Sequence, residues 1–152
     1  IKKESPNIEL HLTGSLQTNK VKQAIDVFDV FQTLDREKLA NTLYKHKEII
    51  TNKKFFVQVN IGKEANKNGI MPEQASNFIN YCRYDLNLPV IGLMCIPPQK
   101  ENPKIFFEKL KQISVKSKLK NLSMGMSNDY QDAVLSGANN IRIGTKFFGQ
   151  RF

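Results

Sequence analysis

The stretch 90–96, Val-Ile-Gly-Leu-Met-Cys-Ile, is the longest clean apolar run in the chain and is stopped by Pro97 and Pro98. It is strand-sized, and it does not alternate apolar with polar residues. A strand with one wet face alternates; a strand buried on both faces reads as a continuous run, which is the pattern of a parallel sheet covered by helices. Working outward from it, the same alternation of strand and helix repeats. Upstream, Pro72 suits the first turn of a helix whose Ala75, Phe78, Ile79 and Cys82 point inward. Before it lie a polar loop, 62–69, and a strand, "KFFVQVNI" (54–61). Asp35 is placed to cap a helix in which Leu39, Leu43, His46 and Ile50 recur at helical spacing. "VFQTL" (30–34) precedes it as a β-rich stretch. Residues 16–28 read as a helix with Leu16, Val21, Ala24 and Ile25 on or near one face, and residues 8–12 as a first strand.

Downstream, "NPKIFFEKLKQIS" (102–114) is helical, with Phe106, Leu110 and Ile113 on one face. "NLSMGMS" (121–127) is a strand. Asn128 and Gln131 predict an N-cap and capping box for the next helix, and Gly137 its C-cap. "NIRIGTKFFG" (140–149) closes the pattern. Strand–helix thus occurs five times with a sixth strand last, which implies an α/β fold with right-handed crossovers. An open doubly wound sheet and a barrel both satisfy this. No G-x-G-x-x-G follows the first strand, which weakens a dinucleotide-binding fold. At 152 residues, one domain covers the chain, 1–152.

Composition narrows the function classes. Lys+Arg of 23 against Asp+Glu of 14 leaves +9. That charge makes a nucleic-acid-binding module a rival reading, one that requires salt-dependent binding. The lysines are scattered, however (Lys2, Lys3, Lys45, Lys47, Lys53, Lys54, Lys109, Lys111, Lys116, Lys118, Lys120), and no basic run is interleaved with aromatics. A solvated lysine-rich surface remains, which raises the local concentration of small phosphate anions. No stretch approaches the roughly 20 apolar residues of a membrane span. No secretory h-region opens the chain, so a cytoplasmic protein is expected. Cys82 and Cys95 form no metal or redox spacing and read as two buried reduced thiols. His11 and His46 do not suggest zinc, so no metal is expected.

The chemistry concentrates near the end. Gly125, Gly137 and Gly144 let backbone approach a ligand, and Ser127 stands where a strand gives way to a helix N-terminus, where amides favour an anion. Gly144 and Thr145 add two amides and a hydroxyl. In parallel barrels the loops after the last two strands commonly hold phosphate. The other reading is that the glycines serve turns and packing and that Arg142 makes a surface ion pair.

"GSLQTNKVK", "VQVNIGKEANKNGI", "IGLMCIPP", "LSMGMSNDYQDAV" and "IRIGTKFFGQR", in this order over nearly the whole chain, resemble the pyridoxal phosphate homeostasis protein family, also called the YggS/PROSC family. The resemblance implies a TIM-like (β/α) barrel of the alanine racemase N-terminal-domain type. It implies binding of pyridoxal 5′-phosphate (PLP, the vitamin B6 cofactor) and intracellular PLP homeostasis as a carrier or buffer without turnover, with transient contact with PLP-dependent apoenzymes. Residue by residue, Ser127, Gly144 and Thr145 match the family's phosphate contacts, Arg142 the arginine facing the pyridine nitrogen, and Asn60 and His11 positions bordering the cofactor. Met94 reads as barrel filling. Lys20 and Lys67 match family lysines near the site or its rim, and each reads equally as a solvated lysine. A fixed cation beside the pyridine nitrogen disfavours its protonation, so the ring is a weaker electron sink and a holder of PLP is favoured over a catalyst. No catalytic residue is therefore assigned. An amino-acid racemase of the same fold is the enzymatic rival, but no tyrosine is placed to act as its base: Tyr130 is on a helix, and Tyr44, Tyr81 and Tyr84 read as helix-face packing.

The resemblance has gaps. The family's Schiff-base lysine, in an "AVSK"-like motif at the end of its first strand, and the "FGEN"-like motif after its second have no counterpart here. The chain starts at Ile1 rather than Met. The expectation is a piece of a longer protein carrying about six of eight βα units, strands 3–8 of the barrel, with the Schiff-base lysine outside the chain. Thr13, Cys95 and Gly62 are smaller departures, away from the phosphate cup.

Overall fold

The computed structural model describes residues 5 and 7–149. Lys2, Lys3, the starting Ile1, and Gln150 and Arg151 of the last motif lie outside the described residues. Six strands alternate with helices: β1 (His11–Leu12), α1 (Val21–Val27), β2 (Val30–Leu34), α2 (Glu37–Tyr44), β3 (Lys54–Gln58), α3 (Ala75–Asn80), β4 (Val90–Met94), α4 (Pro103–Lys116), β5 (Asn121–Met126), α5 (Tyr130–Leu135), β6 (Asn140–Arg142) and α6 (Thr145–Phe148). They form one sheet in the order β1-β2-β3-β4-β5-β6, every neighbouring pair parallel.

That order chooses between the two architectures the sequence leaves open. A doubly wound sheet reverses its strand order at a switch point so that helices cover both faces. Here the order never reverses, so right-handed crossovers carry successive helices to the same face. The sheet curls away from them. Ser123 Oγ of β5 donates to Gln32 Oε1 of β2 at 2.5 Å although two strands lie between them in the sheet. The result is an α/β fold with a curled, parallel, six-stranded half-barrel.

Two apolar clusters follow from the pleat. On the helix side, Phe31 and Phe55, register partners on β2 and β3, stack with centroids 5.2 Å apart, and pack in one cluster with Leu39, Leu43, Ile79, Cys82, Phe107 and Leu110. Most helix positions read from periodicity are buried, but His46 and Ile113 are only half-buried, and Tyr84, read as helix-face packing, is 71% exposed. On the concave side a smaller cluster joins Val30, Phe56 and Met94, so Met94 does fill the barrel interior.

Both predicted N-caps are corrected by the structure. Asp35 does not cap α2: Arg36 occupies that position with no side-chain cap, and Asp35, buried, instead accepts from Arg36 Nη1 at 2.5 Å. The helix also stops at Tyr44, and a 3₁₀ turn, Lys47–Ile49, takes over before Ile50. Asn128 does not cap α5: Asp129 stands at the cap, and its Oδ1 accepts from the Met126 amide at 2.6 Å. In each case a carboxylate offered a nearby partner prefers it to a helix amide.

Gly137 behaves as expected. The Ala138 amide donates to Ala133 O and the Gly137 amide to Val134 O, both at 2.9 Å, the paired bonds of a Schellman C-cap with its glycine at φ +103. Gly137→Ala should cost about 1 kcal/mol through the positive φ, read as a lower thermal midpoint with unchanged circular dichroism at low temperature.

Asp35 carries a pH signature. Burial raises its carboxyl above the ordinary value of 3.8, against the pull of the Arg36 guanidinium. A raised folded value means that the group stabilises the fold most below pH 3.8, and that this contribution is lost as pH rises through the folded value. Asp35→Asn removes that dependence. As pH rises from below 3.8 the urea midpoint of the variant should gain on that of the parent; a constant gap would refute the assignment.

Candidate functional site

Because all six strands run the same way, their C-terminal ends gather at one mouth. The end of β5 and the start of α6 meet there. The Gly144 amide lies 3.3 Å and the Lys146 amide 3.2 Å from Ser127 Oγ, both donating to it. Two backbone donors and a hydroxyl therefore converge at one point, with exposed Thr145 beside them. The Lys146 side chain turns elsewhere: its Nζ donates to Tyr130 Oη at 3.1 Å and sits 4.6 Å over that ring.

Arg142, at the end of β6, is not a surface ion pair. Its Nη1 donates to Ser123 Oγ and its Nη2 to the Cys95 carbonyl, each at 2.7 Å. Both acceptors are neutral, and no carboxylate among the described residues pairs with it. Burial lowers the guanidinium pKa below its ordinary value. Arg142 thus offers a cation with no ion-pair partner among the described residues, on which the Asp129 carboxylate acts only from beyond ion-pair distance.

His11 lies further inside. Gln32 Nε2 is 2.8 Å from His11 Nδ1, and His11 Nε2 is 3.3 Å from Glu9 Oε2. Glu9 also pairs with Lys54 at the start of β3, the end away from the mouth, and that ammonium holds the Glu9 carboxyl below its ordinary range. The structure therefore does not place His11 in the cup with Ser127. It joins His11 to Arg142 through Gln32 and Ser123.

Asn60 is buried just beyond β3. Its Nδ2 donates to Glu64 O (2.8 Å) and Lys67 O (3.1 Å), and its Oδ1 accepts from the Glu64 amide (3.0 Å). Both amide hydrogens are used in shaping the 60–70 loop. That loop edges a cavity of about 290 Å³ lined by Thr13, Ser15, Asn60, Lys67 and Ile96 among others. Lys67 is held there by Glu64 Oε2 (2.6 Å) and Pro97 O (3.3 Å). Lys20 is exposed at the end of a 3₁₀ turn.

Gln32 and Ser123 were missed by sequence reasoning. The signal was present: an amide inside "VFQTL" and a hydroxyl inside "NLSMGM", both in mainly apolar strands, and both buried. Cys82 and Cys95 are buried and free, and burial pushes both thiols up to about 12. Among the described residues no group of three or more His, Cys, Asp or Glu could hold a metal ion, and no helix is long and apolar enough to cross a membrane.

No protein-family model matches the chain. A pyridoxal phosphate homeostasis protein of Aquifex aeolicus (strain VF5) is 38% identical over 157 residues, covering 95% of this chain and 68% of that protein. The chain belongs to the pyridoxal phosphate homeostasis protein family. It spans about two thirds of the length of the curated relatives it matches. Among solved structures, PipY of Synechococcus elongatus PCC7942 without PLP superposes with a TM-score of 0.86 at 30% identity, covering 97% of this chain and 74% of PipY. PipY with PLP bound superposes at 0.82 and 28% identity, with the same coverage. An alanine racemase of Clostridium difficile 630, at 15% identity and a TM-score of 0.71 over 99% of this chain and 42% of its own, shares the fold. Family membership and that neighbour agree with the alanine racemase-like barrel fold the motifs implied.

Proposed function

We propose that this chain binds pyridoxal 5′-phosphate and serves intracellular PLP homeostasis as a carrier and buffer, without turnover. The observation that carries the reading is the convergence of the Gly144 and Lys146 amides on Ser127 Oγ, together with, at the end of β6, a guanidinium whose hydrogen-bond partners are neutral. Backbone amides and hydroxyls at a helix start are the donor set a phosphate dianion takes. The residues present fit the phosphate and the ring. Ser127, Gly144 and Thr145 would hold the phosphate, and Arg142 would face the pyridine nitrogen. When bound, PLP supplies an amine-reactive aldehyde and an electron-withdrawing ring. Arg142 opposes protonation of that ring, so the site keeps the cofactor rather than exploiting it. The relatives' names and the PLP-bound PipY structure support the same reading.

The finer reading is that residues 1–152 form one incomplete PLP-binding barrel domain, six βα units of eight, with the Schiff-base lysine outside it. Phe147, Phe148 and Leu135 are 78%, 80% and 80% exposed around β6, which among the described residues pairs only with β5. That surface is where a further βα unit would pack. The cytoplasm is the proposed compartment, and PLP-dependent apoenzymes are the proposed recipients.

The test is a PLP titration of the chain with inorganic phosphate as competitor, then borohydride reduction and peptide mass spectrometry. Binding that phosphate displaces, with no lysine of this chain trapped, is the expected result. No binding sinks the PLP reading, and a cleanly trapped lysine sinks the assignment of that lysine to a segment outside the chain. Ser127→Ala should weaken binding about fivefold, the worth of one hydrogen bond of about 1 kcal/mol, and should leave the thermal midpoint within about 2 °C.

A further inference from the structure

Four hydrogen bonds run in series from the half-barrel's interior out to its surface: Arg142 to Ser123 (2.7 Å), Ser123 to Gln32 (2.5 Å), Gln32 to His11 (2.8 Å) and, exposed, His11 to Glu9 (3.3 Å). Their direction is forced. A guanidinium only donates, so Ser123 Oγ accepts from it and spends its own proton on Gln32 Oε1. That fixes the Gln32 amide with its nitrogen towards His11, so Nδ1 accepts and the imidazole proton sits on Nε2, facing the Glu9 carboxylate. Gln32 is the hinge of the series, because it is the member that both accepts from one side and donates to the other by a fixed amide geometry. It is 2% exposed, as deep as the core around it. A buried amide would be expensive there unless both ends were satisfied.

We propose that Gln32 is a positioning residue for Arg142. Acting through Ser123, it holds the guanidinium at the mouth with uncharged partners only, so that the full cation is presented to the ring nitrogen of a bound B6 phosphate. This rests on the PLP-binding reading for its ligand, though not for the coupling itself. An amide serves where a carboxylate would not. A Glu in the same place would put an anion one hydroxyl away from the guanidinium, drain its field and ease protonation of the ring.

Two measurements decide it. The first needs no ligand. Gln32→Leu, Arg142→Met and the double variant form a cycle in urea midpoint. Gln32 and Arg142 share a partner, Ser123, so the losses should be sub-additive; additive losses overturn the coupling. If Gln32→Leu fails to fold, Gln32→Glu replaces it in the cycle, read above pH 7 where a carboxylate is ionised; there the attraction it adds to Arg142 should vanish in the double variant, and additivity overturns the proposal. The second uses pyridoxine 5′-phosphate, which lacks the aldehyde and whose fluorescence reports ring protonation. Gln32→Leu should raise its dissociation constant about tenfold. Gln32→Glu should hold affinity closer to the parent but shift ring protonation of the bound ligand to higher pH. Unchanged affinity and spectra in both variants overturn the positioning role. Failure of the parent to bind instead sinks the PLP-binding reading and with it the ligand half of the proposal, while the cycle still decides the coupling.

Discussion

Replacing Arg142 with methionine should weaken PLP binding by about 10- to 100-fold, since hydrogen bonds to a charged group are worth about 1.5–3 kcal/mol. The guanidinium is held at two points, Ser123 Oγ and the Cys95 carbonyl, both at 2.7 Å, and the plane it presents is set by that fork. Arg142→Lys keeps the charge but cannot reach both acceptors with one ammonium, so it should recover only part of the loss. An absorbance titration with PLP, run beside a circular dichroism check of folding, measures the effect. Equal affinity in the parent and the methionine variant would remove Arg142 from the site. The methionine variant should also lose some stability, because the Cys95 carbonyl sits among buried groups and loses its donor. Binding and unfolding must therefore be read separately.

The second large effect is structural. Gly92 sits in β4, in register with Asn121 of β5. A Cβ built on it meets the Asn121 carbonyl oxygen and lies 2.7 Å from Phe56 Cε1. Neither can give way cheaply. The carbonyl belongs to the neighbouring strand, and the ring is wedged in the concave cluster with Val30 and Met94. Gly92→Val should therefore cost about 3 kcal/mol or more by overpacking, and Gly92→Ala about 1–3 kcal/mol. Against a total stability of about 5–15 kcal/mol, the valine variant should unfold at markedly lower urea with a similar m-value. A midpoint within experimental error of the parent would show that the concave face has room the geometry denies.

The candidate site was half legible. Ser127, Gly144 and Arg142 could be named because they fall in runs whose spacing survives without the fold: a strand end, a glycine, a helix start. Thr145 is exposed, next to Gly144 in the chain. His11 and Asn60 are less direct. Asn60 spends its amide on its own loop, and His11 reaches Arg142 only through two intermediaries. Each intermediary carries a local signal, a polar side chain buried in a strand, but Gln32 and Ser123 are 91 residues apart, and nothing local announces that they touch. The misread caps fail for a related reason. Asp35 and Asn128 have cap-like sequence neighbourhoods, but capping is a weak local bond of about 1 kcal/mol: Asp35 bonds Arg36 instead, and Asn128 falls one residue short of the cap position, which Asp129 takes.

By itself the amino-acid sequence determined the order of the six strands and the five helices between them, most of the buried positions of α1 to α4 and the family, because periodicity, chain punctuation and short motifs are local; the short α6 after the last strand was not read from it. It left undecided whether the sheet is open or curled, since both architectures require the same alternation. Tertiary structure decided that. Strand order without reversal sends the helices to one face, and the curl brings β2 within hydrogen-bonding reach of β5. The interior series that holds Arg142 exists only because of that curl, since curvature is a property of the whole sheet and is written in no single strand.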